Sequence, residues 1–524
     1  MRFARALTVP SLVGLALVAL VIAGCGSGSS NDGGGEEDPF DHAEYFTEYF
    51  AADPAPEVTN LNTVCVGCHT DEAADVMNTG HWHWEGTSVN IEGYETGSHG
   101  KNDLLNNFCI AIPSNEGRCT QCHIGVGYQD NTFDFGDADN MDCIICHDTT
   151  GVYGKHPTTG GGGGQPALNN PSEWPAGFTA LTQEQWQDIG SNVGTPGRKN
   201  CGFCHYKAGG GNNVKHGDLA VNLNNTTREF DVHMGTDGGD FSCQQCHQAD
   251  DVHGIGGMPI HHVNEGDMQG CDDCHSPDGS AGAPDHSAMS GSLSMHVGLL
   301  ACQTCHIPAI GRHTKTKVWW DWSTAGETKP DEFDADGYIT YTKKKGNFRW
   351  EWDVRPALRR FDGTWYRRLI DENDIYTTLD SGPDDGYVML AEPTAAWDGS
   401  AKIYPFKRMI GKTPADLGNN RVAVPHLFGL KGGENPYWGK FDWDLALDDG
   451  ATYLSLPYDV GMGNAGFIDT VMYLTVNHEV APKEEALGYG NACSDCHGLN
   501  PDTNAPYYEW EHLRANGQDP YPNP

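Results

Sequence analysis

Eight times along this chain two cysteines stand three positions apart, with a histidine directly after the second. The copies are Cys65-Cys68-His69, Cys119-Cys122-His123, Cys143-Cys146-His147, Cys201-Cys204-His205, Cys243-Cys246-His247, Cys271-Cys274-His275, Cys302-Cys305-His306 and Cys493-Cys496-His497. The thiols in this order suit thioether bonds to the vinyl groups of a porphyrin, and the adjacent imidazole suits one axial position on its iron. Zinc sites and dithiol redox motifs also use paired cysteines, but neither requires a histidine after every pair. The pattern therefore predicts eight covalently bound c-type haems.

A low-spin electron-transfer haem needs a second axial ligand. Of the 24 histidines, eight belong to the motifs and sixteen are left, so bis-histidine ligation is affordable at every site. Candidate distal ligands are His81 in "HWHWE", His216, His233 in "DVHM", His253, His286, His296, six residues before Cys302, and His478 in "NHEVAPKEEAL". One lysine stands out in the stretch "GGGNNVKHGDL", where Lys215 directly precedes His216. Neighbouring side chains of an extended loop project to opposite sides, so the two could face different haems. An amine ligates iron only when deprotonated, a state that burial beside a cationic centre favours. The plain alternative is a solvated lysine, or one paired with a haem carboxylate.

The elements that must position these residues are unevenly distributed. The chain has 524 residues, of which 38% are hydrophobic and 67 are glycine, so much of its interior is expected to be built on cofactor. Seven motifs lie in a haem core over residues 41–306, at irregular spacings that argue against a solenoid. The eighth lies in a C-terminal segment, residues 481–524. Between them, residues 307–480 read as a basic, β-prone insertion with alternating text such as "YITYTKKKGNFRWEW". Residues 307–492 hold 21 of the 32 lysines and arginines, a charge suited to neutralising haem carboxylates, attracting anions or forming a solvated basic face. The fold class expected is a multihaem cytochrome c, with a mainly α and irregular haem-packed core and a β-prone insertion before the last haem motif.

Formal net charge is -40, which excludes nucleic acid as an expected partner. At the N-terminus, Arg2 and Arg5 precede an apolar run ending "VIAGC". This resembles a bacterial lipoprotein signal over residues 1–24, lipidated at Cys25 and followed by a flexible tether over residues 25–40. An uncleaved membrane anchor is the alternative, weakened by Pro10 and Gly14. The expected location is the periplasm or cell surface. The Gly160 to Gly164 run reads as a flexible loop.

Text beyond the haem motifs resembles the octahaem tetrathionate reductase family of c-type cytochromes from about Val58 to His497. The segments that carry the likeness include "HWHWEG", "NNFC", "CHDTTGVY", "CGFCH", "VKHGDL", "ACQTCHIP", "WDWSTAG", "AVPH" and "NHEVAPKEEAL". The resemblance implies closely packed haems, one of them catalytic, bound by the second motif and carrying a distal lysine. That lysine corresponds to Lys215, with Lys155 in "CHDTTGVYGKHP" as the rival. Asn212 stands where the family often has an acid, which bears on proton delivery or substrate preference. Cys109 in "NNFC" becomes a candidate for the rim of the catalytic pocket, or else a small apolar residue. His426 in "AVPH" becomes a candidate distal ligand or proton donor.

The function expected is a respiratory reductase of tetrathionate, nitrite or hydroxylamine, fed by a quinol-linked or periplasmic cytochrome donor. The alternative is a lipid-anchored electron conduit or filament subunit that is not an enzyme. Homo-oligomerisation is left open.

Overall fold

The computed structural model describes residues 41–52, 58–128, 130–155, 181–249, 253–255, 268–282, 285–286, 291–375, 384, 386–395, 401–428, 435–499 and 508. The expected signal and tether and the Gly160 to Gly164 run lie outside them.

Short helices and irregular chain make up the first half of the described residues. Motif helices are often single turns, as in Ile144–His147, Cys271–Cys274, Cys302–His306 and Ser494–His497. One turn suffices, because positions i, i+3 and i+4 share a helix face and carry both thiols and the imidazole to one side. Longer helices brace this scaffold. Thr182 caps Gln183–Ser191 through a reciprocal pair with Gln185. That helix buries Trp186 and Ile189 in a cluster with Phe46 and Phe50 of His42–Ala52.

A hairpin of β1 (Glu85–Thr87) and β2 (Ser98–Gly100) precedes the second motif. The later strands form one ten-stranded sheet. They are β3 (Thr316–Asp321), β4 (Glu332–Phe333), β5 (Ile339–Thr342), β6 (Gly346–Glu351), β7 (Ala357–Phe361), β8 (Trp365–Arg367), β9 (Val388–Pro393), β10 (Lys402–Asp416), β11 (Arg421–Val422) and β12 (Ala465–Thr475). The order is β4-β5-β6-β3-β10-β12-β9-β8, and β7 and β11 also pair with β10. In β6 the alternation is direct, with Gly346, Phe348 and Trp350 buried between more exposed neighbours. Central β10 runs antiparallel to β12 from Phe406 opposite Thr475 to Asp416 opposite Ala465, and parallel to β3.

The sheet docks on the haem-motif region through backbone as well as side chains. Leu300 bridges Ile403, Ile91 bridges Trp365 and Leu104 bridges Leu369. Asn107 Nδ2 donates to the Met409 carbonyl at 2.8 Å. Its basic residues are largely interior: Lys317, Arg360, Arg368 and Lys407 are at most 1% exposed. A solvated basic face, one of the readings open from sequence, does not describe them.

Candidate haem and active sites

Residues of the first six motifs converge on one large cavity of about 2860 Å³. Its walls include both cysteines and the histidine of the first, third, fourth, fifth and sixth motifs, together with Cys119 and Cys122 of the second. Two imidazoles on opposite faces of one iron have ring centres about 6 Å apart, two metal–nitrogen bonds of about 2 Å plus the ring radii. Seven motif histidines each face another histidine at that distance. His69 pairs with His42 at 6.2 Å, His147 with His253 at 5.8 Å, His205 with His81 at 6.3 Å and His247 with His478 at 6.3 Å. His275 pairs with His233 at 6.0 Å, His306 with His286 at 6.3 Å and His497 with His296 at 6.1 Å. Thiols and paired imidazoles around so large a space fit haem.

Hydrogen bonds orient several of these rings. Nδ1 of His147 lies 2.9 Å from the Gly194 carbonyl, and Nδ1 of His275 lies 2.8 Å from that of Gly282. Nδ1 of His478 meets Asp218 Oδ2 at 3.1 Å, and the same carboxylate accepts from the His478 backbone N–H. A proton held on Nδ1 leaves Nε2 with a free lone pair for metal. Burial disfavours the charged His478 ring, but Asp218 facing it outweighs this and raises it to about 9, so ligating metal through Nε2 requires the ring to give up a proton.

His123 differs. It is fully buried among Trp82, Trp84, Tyr128, Phe133 and Phe135, with Nε2 donating to the Trp82 carbonyl at 2.5 Å and the Gly125 N–H donating to Nδ1. Binding iron through Nε2 requires exchange of that carbonyl contact. Burial, with Lys155 nearby, lowers the imidazole to about 3, so the ring is neutral, the ligating form. Among the described residues no second histidine ring pairs with it. Two lysines, Lys101 and Lys215, instead border the cavity that Cys119 and Cys122 line, and both act electrostatically on Cys122. Burial, reinforced by Lys215, pushes the Lys101 amine well below its usual range.

The remaining sequence candidates divide. Cys109 borders the cavity, with its N–H donating to Asn106 Oδ1 at 2.7 Å. Lys155 does not border it. Its amine is paired with Asp142 at 2.8 Å and donates to the carbonyls of His123 at 2.5 Å and Gly125 at 2.9 Å, contacts that a ligand role for it would have to exchange. Asn212 is likewise off the cavity wall, bonded to Thr314 and to the Val221 N–H, which makes it a brace for its loop rather than a pocket group. His426 is buried beside Asp449 at 3.3 Å and also stands back from the wall, which Leu427 and Phe428 form. His216 is 5.0 Å from His205, closer than two imidazoles sharing one iron, and His81 has the fitting distance.

Residues 317–500 match the family model "Cytochrome c bacterial". A crystal structure of an octahaem cytochrome c from Shewanella oneidensis aligns with a TM-score of 0.73 at 36% identity, over 90% of this chain and 96% of that one. The chain belongs to the octahaem c-type cytochromes. An uncharacterised protein of Archaeoglobus fulgidus is also similar, 25% identical over an alignment 280 positions long that covers 45% of this chain and 87% of that relative.

In this cytochrome, which carries covalently bound c-type haems, the motifs adjoin in an order different from that along the chain. Cys65 meets Cys143, Cys122 meets Cys204, Cys201 meets Cys243 and Cys271 meets Cys302. Electrostatic neighbours supply the other links, Cys146 to Cys201 and Cys204, Cys246 to Cys274, and Cys305 to Cys496. The motifs therefore run first, third, fourth, fifth, sixth, seventh, eighth, with the second branching from the fourth. Sequence reasoning missed His42, Lys101 and Asp218. A partner was owed to His69, and the helix-starting His42 was an available signal; Asp218 and Lys101 had no signal beyond proximity to family-like text.

Proposed function

We propose that this cytochrome is a respiratory reductase in which eight haems are held by the eight motifs and one of them, at Cys119, Cys122 and His123, binds substrate. The observation that carries the reading is the asymmetry of ligands: among the described residues seven motif histidines face a second imidazole, whereas His123 faces none and its motif cysteines line a cavity that Lys101 and Lys215 also border. The paired histidines His42, His81, His233, His253, His286, His296 and His478 would hold the electron-transfer haems. Bound in these sites, haem supplies one-electron transfer and, at the branch, an iron position that a labile ligand can vacate.

The chain's own groups then divide the work. Lys215 completes the branch site beside Lys101, whose own amine is pushed well below its usual range by burial and by Lys215. Positive charge at this pair draws small anions into an otherwise acidic protein. Cys109 offers a thiol on the same wall. Tetrathionate, nitrite and hydroxylamine are the substrate candidates, with a quinol-linked or periplasmic cytochrome as donor and Cys25 as a lipid anchor. No helix of the described residues is long and apolar enough to cross a membrane.

Oxidation of reduced viologen by the three substrates, followed in parallel, tests the reading. Lys215→His should abolish most turnover and convert the branch site to a bis-imidazole spectrum. Lys155→Met should keep the amine-ligated spectrum while destabilising the fold by about 3 kcal/mol, because Asp142 is left buried without its counter-ion and holds only the Tyr153 hydroxyl and the Ile145 N–H. Absence of turnover with all three, in protein that still accepts electrons, would leave the conduit reading.

A further inference from the structure

Arg367, the last residue of β8, borders the large cavity and is only 6% exposed. Its Nε and Nη1 have no hydrogen-bond partner. Asp103 is the opposite charge that acts on it, but that carboxylate is engaged by the His99 ring and by the Gly100 N–H at 2.9 Å. Burial lowers Arg367 only to about 10, so it remains a cation at neutral pH. A buried charge without an anion is strongly unfavourable, so the cavity side of Arg367 calls for one.

The surrounding elements indicate which anion. Trp365 bridges Ile91, Leu369 bridges Leu104, and the Leu105 N–H donates to the Arg368 carbonyl, so the chain around Arg367 packs on residues 91–105. Within that segment Lys101 lies over the Trp84 ring at 5.5 Å, and Trp84 stands edge-on to His123 at 5.2 Å. We propose that Arg367 holds a propionate carboxylate of the haem attached at Cys119, Cys122 and His123. Guanidinium matches a planar carboxylate through paired N–H donors, and a small oxyanion substrate shares part of that chemistry. The inference rests on haem attachment and not on the reductase reading.

Spectroelectrochemical titration of the full haem-loaded protein across neutral pH tests it, with the paired-imidazole haems as internal references. In Arg367→Gln the uncompensated carboxylate favours ferric iron, so the midpoint potential of the branch haem should shift downward. It should also become pH-dependent, rising as the pH falls, because the released carboxyl now titrates near neutrality. Arg367→Lys, which retains the charge but not the fork, should give a smaller shift of the same sign and remains readable if the glutamine variant fails to load haem. Unchanged branch-haem potentials in a variant with full haem content would overturn the proposal. A raised KM for the anionic substrate with those potentials unchanged would also overturn it, by assigning the guanidinium to substrate.

Discussion

A ligand histidine has to offer one nitrogen and immobilise the other, and Asp218 shows how this sequence does so. The "GDL" that follows Lys215 and His216 supplies a buried carboxylate to His478 some 260 residues away, a distance along the chain that no local pattern reports. The motif cysteines and histidines were legible because covalent attachment fixes their spacing. Six of the seven histidines that face a motif histidine stand among the candidates picked out by context, but pairing each with its motif needed the fold. Glu116 illustrates a different single-residue effect. It is 3% exposed, accepts from the Tyr453 hydroxyl at 2.7 Å through Oε1, and leaves Oε2 buried without a partner. Burial raises its carboxyl from 4.5 to about 7, so the folded state keeps a proton that the unfolded state releases. Stability from this group is therefore complete below pH ~4.5 and is lost as pH rises to ~7, by about 3 kcal/mol in all. The thermal midpoint should fall across that window and flatten in Glu116→Gln. An equally steep fall in the variant would mean that other groups set the dependence.

At the scale of elements, the alternation in "YITYTKKKGNFRWEW" does become β5 and β6, and the one-turn helices follow from motif spacing. Strand order was not legible. Parallel pairing of β3 with β10 joins segments about eighty residues apart, and it is stabilised by burial on both faces that periodicity cannot distinguish from a buried helix. One close fit between this sheet and the segment that leads to the cavity wall lies at Gly411. A Cβ there would lie 2.7 Å from Asn107 Cβ and 3.0 Å from its carbonyl, and Asn107 is fully buried and bonded to β10. Gly411→Ala should therefore cost about 1–3 kcal/mol by overpacking. Because Asn107 leads into Cys109, it should also change the alkylation rate of that thiol. Gly298→Ala is the control, since nothing lies within 4 Å of its added methyl and the helix Gly291–Leu299 should tolerate or welcome it. A Gly411 variant as stable as the control, with Cys109 unchanged, would show that the sheet does not hold the wall.

Across the whole molecule, the branched order of motifs and the distribution of charge belong to one argument. In space the second motif adjoins the fourth through Cys122 and Cys204, although the third lies between them in sequence, so the proposed electron path to the branch runs by way of the fourth. Where electrons enter depends on the surface, and the surface carries the acidity of the composition. The formal charge is -40, and the buried cations, among them Lys317, Lys407, Arg360 and Arg368, are matched by buried acids such as Asp142, Asp218, Asp384 and Glu479. An acidic exterior attracts cationic reductants and repels anionic ones, over a screening length of about 8–10 Å at moderate salt. Stopped-flow reduction by a viologen radical cation should slow as salt is added, whereas reduction by an anionic radical should accelerate. The two slopes should have opposite sign, because screening weakens attraction in one case and repulsion in the other. Slopes of the same sign, or a cationic reductant indifferent to salt, would place electron entry at a local basic patch that escapes the global field, and would shift the search for the donor from a basic partner to an acidic one.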